Sequence, residues 1–258
     1  MKPILHSIQP SLPAAALLLA AAALALGAAG AHAADGSVVR IAFGSVSGSG
    51  KIQSDARAIT GFQSISLKTS AKLVLRQGSR EGVEVRADDN ILPLIETRVV
   101  DGTLEIRNRD GSRYSTKTTP VITIDLIKLG GLSVSGSGDI SGDGLKSPAL
   151  KVAVSGSGDI RLNKLAVDEL AIKISGSGDV HFNGRAGKLG IAVAGSGDVD
   201  TAGLESDDVE VAISGSGSAS VNARKTLAVS IAGSGDVVYS GEAVPKTSIA
   251  GIGSVKKK

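Results

Sequence analysis

From Leu132 to the C-terminus the apolar positions fall into columns, not into a helical stripe. Val134, Val154, Ile174, Val193, Ile213, Ile231 and Ile249 each stand immediately before a glycine-rich pentad, and Leu132, Val152, Ile172, Ile191, Val211 and Val229 stand two residues earlier. Apolar, largely β-branched residues at a spacing of two predict strands that turn these side chains to one face. A third column, Ile140, Ile160, Val180, Val199, Ala219, Val237 and Val255, follows the pentads and predicts a second strand beyond a sharp bend. The pentad is Ser135-Gly-Ser-Gly-Asp139, repeated from Ser155, Ser175, Ala194, Ser214 and Ala232, with a degraded copy at Ala250; the intervals are 20, 20, 19, 20, 18 and 18 residues.

A fixed period of this size makes each copy one coil of a solenoid, which cannot bury its apolar face without its neighbours. A second bend recurs in register at Asp143-Gly144, Asn163-Lys164, Asn183-Gly184, Ala202-Gly203, Asn222-Ala223 and Ser240-Gly241, and a weaker third segment is marked by Leu145, Leu165 and Leu204. Asn, Asp and Gly tolerate the left-handed backbone that corners need. The fold class that follows is all-β, a single-stranded parallel β-helix. Seven coils at about 4.8 Å each would give a rod on the order of 34 Å long. Right-handed winding is favoured by the general hand of parallel crossovers, although tight coils can wind the other way.

The N-terminal half is less regular. Its extended segments are expected at Phe62 to Lys68, Ala71 to Gln77, Gly82 to Ala87, Glu96 to Val100, Thr103 to Arg107 and Val121 to Ile127. Asp101-Gly102 predicts a two-residue hairpin, Asn90 to Ile95 one helical turn, and Asn108 to Thr119 a loop. Without a linker between the halves, residues 34–258 are expected to form one domain, with 34–130 supplying irregular capping strands and 131–255 the repeat coils. Such caps keep repeat stacks soluble and cover their first open edge.

The first 33 residues change the expected location. Lys2, the apolar run Leu12 to Ala29 and Ala31-His32-Ala33 follow the order of a secretory signal peptide, 1–33, with cleavage after Ala33. A membrane anchor is the competing reading, opposed by the alanine-rich run, Pro10 and Pro13, and the lack of a basic stop-transfer cluster. The chain has no cysteine, so neither a lipoprotein anchor nor a disulfide is available, and no integral membrane span is expected after cleavage. Removing Lys2 from the 28 Lys and Arg leaves 27 against 25 Asp and Glu, a net charge of +2. That balance argues against a nucleic-acid footprint. Lys256 to Lys258 form a basic run that reads as a solvated tail blunting the last strand.

Candidate chemistry is sparse. His181 is the one histidine after the leader, so a zinc site of His and Cys ligands cannot be assembled. Placed between inward Val180 and Phe182, it should point to solvent. The Ser-Gly-Ser-Gly runs lack the Lys-Ser/Thr and helix of a phosphate-binding loop, and their spacing differs from the nine-residue repeat of calcium-binding β-rolls. The aspartate column, Asp139, Asp159, Asp179, Asp198 and Asp236, is expected to be a structural corner column that caps backbone amides. Ser218 and Ser254 occupy the same column, and serine is a poor carboxylate substitute around calcium; calcium is the competing reading. No catalytic, cofactor or metal residues are assigned. The outward positions Ser133, Ala153, Lys173, Ala192, Ala212, Ser230 and Ser248 make a small-residue face that either admits a partner or a second copy, or is smooth for solubility.

The residues also resemble a known group, the bacterial head GIN domain family of putative autotransporter adhesins, a domain of unknown function. Gly48-Ser49-Gly50, Gly61-Phe62-Gln63-Ser64-Ile65, Asp88-Asp89-Asn90-Ile91-Leu92-Pro93-Leu94-Ile95-Glu96-Thr97, Asp101-Gly102-Thr103-Leu104 and the Ser-Gly-Ser-Gly-Asp coils carry the resemblance, which covers nearly all of the mature chain. It implies a pectate-lyase-like β-helix in the envelope or outside the cell, and no established activity. Membrane-barrel strands with aromatic girdles do not follow the repeats. The expected function is a non-enzymatic surface or scaffold protein in the periplasm or at the cell surface, whose partner is an envelope protein or glycan. A polysaccharide lyase or hydrolase is the alternative, kept open by fold analogy alone.

Overall fold

Residues 45–258 are described in a computed structural model of the chain; the expected signal peptide, 1–33, lies outside the described residues. β1 (Val46–Ser47) and β2 (Ile52–Arg57) open the described chain. β3 (Ser64–Lys68), β4 (Lys72–Gln77), β5 (Gly82–Asp88), a short helical turn at Leu92–Leu94, β6 (Ile95–Val100) and β7 (Thr103–Asn108) follow. Then come β8 (Tyr114–Ser115) and β9 (Val121–Leu126). The hairpin at Asp101-Gly102 is present, with both residues at positive φ, 48° and 71°, between antiparallel β6 and β7.

Three strands have no counterpart in the sequence pattern. β2 alternates weakly because Gln53, Ser54 and Asp55 place polar groups on both sides; its antiparallel pairing with β5 holds it. β1 and β8 form a two-residue pair, so the expected loop 108–119 is interrupted by a strand.

The early strands are more than a lid. β3 pairs in parallel with β7 on one side and with β10 (Gly131–Val134) on the other, while β4 pairs with β9 and with β11 (Asp139–Asp143). The layer built from β3 and β4 is therefore sandwiched between one that follows it directly in the ladder and one built from β7 and β9, later in sequence. The chain rises through antiparallel β5 and β6, returns through β7 and β9, and passes beneath its own first layer. β5 against β9, β2 against β5, and β6 against β7 close that end with antiparallel strands.

The remaining elements are β12 (Lys146–Val154), β13 (Ile160–Ile174), β14 (Val180–Val193), β15 (Val199–Gly215), β16 (Ala219–Gly233), β17 (Asp236–Ser240), β18 (Pro245–Gly251) and β19 (Ser254–Lys257). All pair in parallel, coil upon coil, as a β-solenoid of about six turns. The long strands turn corners at register shifts such as Leu162/Leu165 and His181/Asn183. At the second bend Gly144, Lys164, Gly184 and Gly241 take positive φ, whereas Ala202-Gly203 and Asn222-Ala223 turn without it.

The columns point inward as expected, and nearly every member is buried. A further column, Leu150, Leu170, Leu189, Val209 and Leu227, joins them from the strand segment leading into each coil. Ile249 is the exception: it occupies the inward column in register with Ile231 but is 43% exposed, because no described coil follows to cover it. Val255, in the last coil, is likewise only partly buried.

Across the first strands, Glu105 binds Lys68 Nζ at 2.8 Å and Arg98 Nη2 at 2.8 Å, tying β3, β7 and β6 together. Hydrogen bonds from these two cations hold its carboxyl at about 2, below the ordinary 4.5. A carboxylate whose folded pKa is depressed adds stability above pH 4.5 and loses it as pH falls toward about 2. The melting advantage of the parent protein over Glu105→Gln is therefore expected to be full at pH 6 and to shrink between pH 4.5 and 2. Thermal melts across that range check it, and a pH-independent difference would contradict it.

Candidate functional site

The side of the solenoid carrying β3, β7 and β10 is a parallel ladder with two outward columns. One runs Thr103, Ser64, Gly131, Lys151, Ala171, Gly190, Glu210, Ala228 and Lys246. The other runs Glu105, Ser66, Ser133, Ala153, Lys173, Ala192, Ala212, Ser230 and Ser248. Because most of these side chains stop at Cβ or are hydroxyls, the face is low, interrupted by the longer side chains of Lys151, Glu210 and Lys246 in one column and Glu105 and Lys173 in the other. Around Gly131, where an added Cβ would stand 2.8 Å from Ser64 Oγ, lies a hollow of about 570 Å³ bordered by Ser64, Thr103, Ser133, Lys151, Ala153 and Lys173. A second groove lies along the edge where the third side meets this face, lined by Lys151, Glu169, Lys188, Asp208, Glu210 and Thr226.

The aspartate column lies at the glycine corner. Oδ1 of each aspartate accepts the amide of its counterpart in the following coil: Asp139 from Asp159 at 3.2 Å, Asp159 from Asp179 at 3.1 Å, Asp179 from Asp198 at 2.9 Å and Asp198 from Ser218 at 2.8 Å. Asp236 accepts both the amide and the hydroxyl of Ser254, at 2.9 and 2.6 Å, and these bonds hold its carboxyl below the ordinary range. The contact thus runs between coils, which the spacing in the sequence did not disclose. Among the described residues no three His, Cys, Asp or Glu side chains converge as metal ligands.

His181 is 48% exposed and its Nδ1 lies 2.9 Å from Asp200 Oδ2 in the next coil. That pair is solvent-facing, and Ser220 follows Asp200 in the ladder one coil on.

At the capped end two sequence motifs meet. Asp88, 2% exposed, accepts the Gly50 amide at 2.8 Å and the Thr116 hydroxyl, and Asn90 Oδ1 accepts the Ser49 amide at 3.0 Å. A Cβ on Gly48 would lie 2.3 Å from Asp88 Oδ2, so glycine is required for that approach. Gly48-Ser49-Gly50 and Asp88-Asp89-Asn90 are both visible in the sequence, but their separation of some forty residues hid their contact.

A family model described as "Putative auto-transporter adhesin, head GIN domain" matches residues 61–243. Comparison with curated proteins returns no match. Among solved structures, a putative adhesin from Bacteroides fragilis is 24% identical, with a TM-score of 0.79, over 83% of this chain and 100% of that one. A putative lipid binding protein from Parabacteroides distasonis is 25% identical, with a TM-score of 0.72 over the same shares. A putative adhesin from Parabacteroides merdae is 20% identical, with a TM-score of 0.62, over 83% of this chain and 98% of that one. Among the described residues no helix is long and apolar enough to cross a membrane.

Proposed function

The chain belongs to the head GIN domain family, and on that premise we propose that it is an exported, non-enzymatic envelope protein whose low face holds an extended glycan or protein segment at the cell surface or in the periplasm. The observation that carries this reading is the pair of outward columns from Ser64 and Ser133 to Ala228 and Ser230, mostly glycine, alanine and serine with Lys151, Lys173 and Glu210 set among them, a surface that a partner can approach closely between those charges. The signal peptide at 1–33 supplies export, and 34–258 acts as one domain. The adhesin descriptions of the similar structures support a binding role.

Ala192→Arg tests this reading, since it raises a long side chain in the middle of the face without touching the core. Binding of the purified protein to cell-wall sacculi and to a glycan array is expected, with a loss of at least about tenfold for the variant at an unchanged melting point. Full binding by Ala192→Arg would remove the face from the proposal. New reducing ends or unsaturated products from acidic or neutral polysaccharides would instead establish the enzyme. Light scattering on the same two proteins reports whether self-association uses this face.

The aspartate column is, in this reading, a structural brace and holds no metal. Carboxylates stacked one ladder spacing apart repel, and the amide each one accepts offsets that cost. Melting midpoints with EDTA and with millimolar calcium are expected to agree within about 2 °C. Because a ligand that binds only the folded state raises its apparent stability, a large calcium-dependent rise would make the column a cation site.

A further inference from the structure

The hollow over Gly131 differs from the rest of the face in shape and in charge. Its floor is Gly130, Gly131, Ala153 and Ala171 with the backbone of Leu132 and Val152; Lys151 and Lys173 stand at one end, Ser64 and Thr103 at the other. The two lysines lie one coil and two residues apart, so their Cα atoms are about 8 Å from each other. Both are exposed, and neither forms an ion pair among the described residues. From Ala171 to Thr103 the hollow crosses four ladder spacings, roughly 19 Å. No aromatic side chain lines it, so it lacks the platform on which sugar rings stack.

An elongated, aliphatic trough with paired ammonium groups at one end is complementary to an acyl chain bearing a single anionic head. We propose that this hollow is a binding site for a medium-chain fatty acid or the equivalent acyl carboxylate, with the carboxylate between Lys151 and Lys173 and the chain lying over Gly131 toward Ser64 and Thr103. The inference rests on the reading of this face as a binding surface and names a ligand class for one part of it. The chain buries methylenes against alanine and glycine, while the lysine stems flank it and their heads reach the carboxylate. The Parabacteroides distasonis structure described as a putative lipid binding protein is consistent with such a site on this fold.

Isothermal titration with dodecanoate below its micelle threshold tests the site. Saturable binding of one dodecanoate per chain is expected, with dodecylamine at least tenfold weaker, because it carries the same chain and the opposite charge, and with no detectable heat from acetate. Lys151→Glu/Lys173→Glu is expected to weaken dodecanoate at least tenfold at an unchanged melting point, and Ala153→Trp to abolish binding by filling the hollow. Equal affinity for dodecylamine and dodecanoate, measured on the parent protein, would overturn the charge assignment, and undiminished binding by the double variant would overturn the location. Sacculus binding retained while dodecanoate fails to bind overturns the lipid site alone. The reverse result overturns the surface-polymer reading and leaves the lipid site standing.

Discussion

Gly178→Ala is expected to lower stability by at least about 3 kcal/mol, a drop of roughly 6–12 °C in melting midpoint for a chain of this size. The reason is the stacking distance and not the backbone angle, since Gly178 has no positive φ. A Cβ at this position would stand 2.2 Å from the carbonyl oxygen of Gly158 and 2.9 Å from Val154 Cγ1. Neither atom can move away, because Gly158 is itself stacked on Gly138 and Val154 is fully packed in the core. The same crowding recurs at Gly158, Gly197, Gly217, Gly235 and Gly253, each with a carbonyl 2.0 to 2.3 Å from the added carbon. Gly190→Ala is the matched control: its nearest contact is 4.0 Å, its side chain would face outward, and its effect should lie within about 0.5 kcal/mol of zero or be slightly stabilising. Guanidinium or thermal unfolding of both variants checks the contrast, and equal effects would show that the corners do not depend on close stacking.

Ile174→Asp should cost more, about 4 kcal/mol or above. Ile174 is 1% exposed and sits in the inward column between Val154 and Val193, with Ile172 two residues away on the same face. The substitution removes the burial of a large aliphatic side chain, worth about 1.5–3 kcal/mol, and leaves a carboxylate without a partner in an apolar stack. Lys173→Asp, one residue earlier, turns its charge to solvent and is expected to change stability by no more than about 0.5 kcal/mol. Circular dichroism melts of the two variants separate the faces of the strand, and an unchanged melt for Ile174→Asp would reverse the assignment of inside and outside.

These two substitutions also mark how far the sequence could be read. Strand periodicity, the corner pentads and the hairpin at Asp101-Gly102 are local signals, set by side-chain alternation and by backbone conformations that only a few residues tolerate, and they identified the coils and their inward columns. The pentads showed glycine recurring at each first corner, but not what demands it: the carbonyl that excludes a Cβ at Gly178 belongs to a residue twenty positions earlier. The same holds for the aspartates, whose column was visible while the acceptor role toward the next coil's amide was not. The capped end was legible only as strands. That the β3–β4 layer lies between layers which follow it in sequence depends on which edges pair, and edge pairing is chosen by backbone groups that every residue carries alike. The hollow over Gly131 belongs to this second category, because it arises where Ser64, Thr103, Lys151 and Lys173, from four different coils, are brought side by side. Alternation along one strand thus determined what faces the core, whereas stacking between coils decided what meets on the surface.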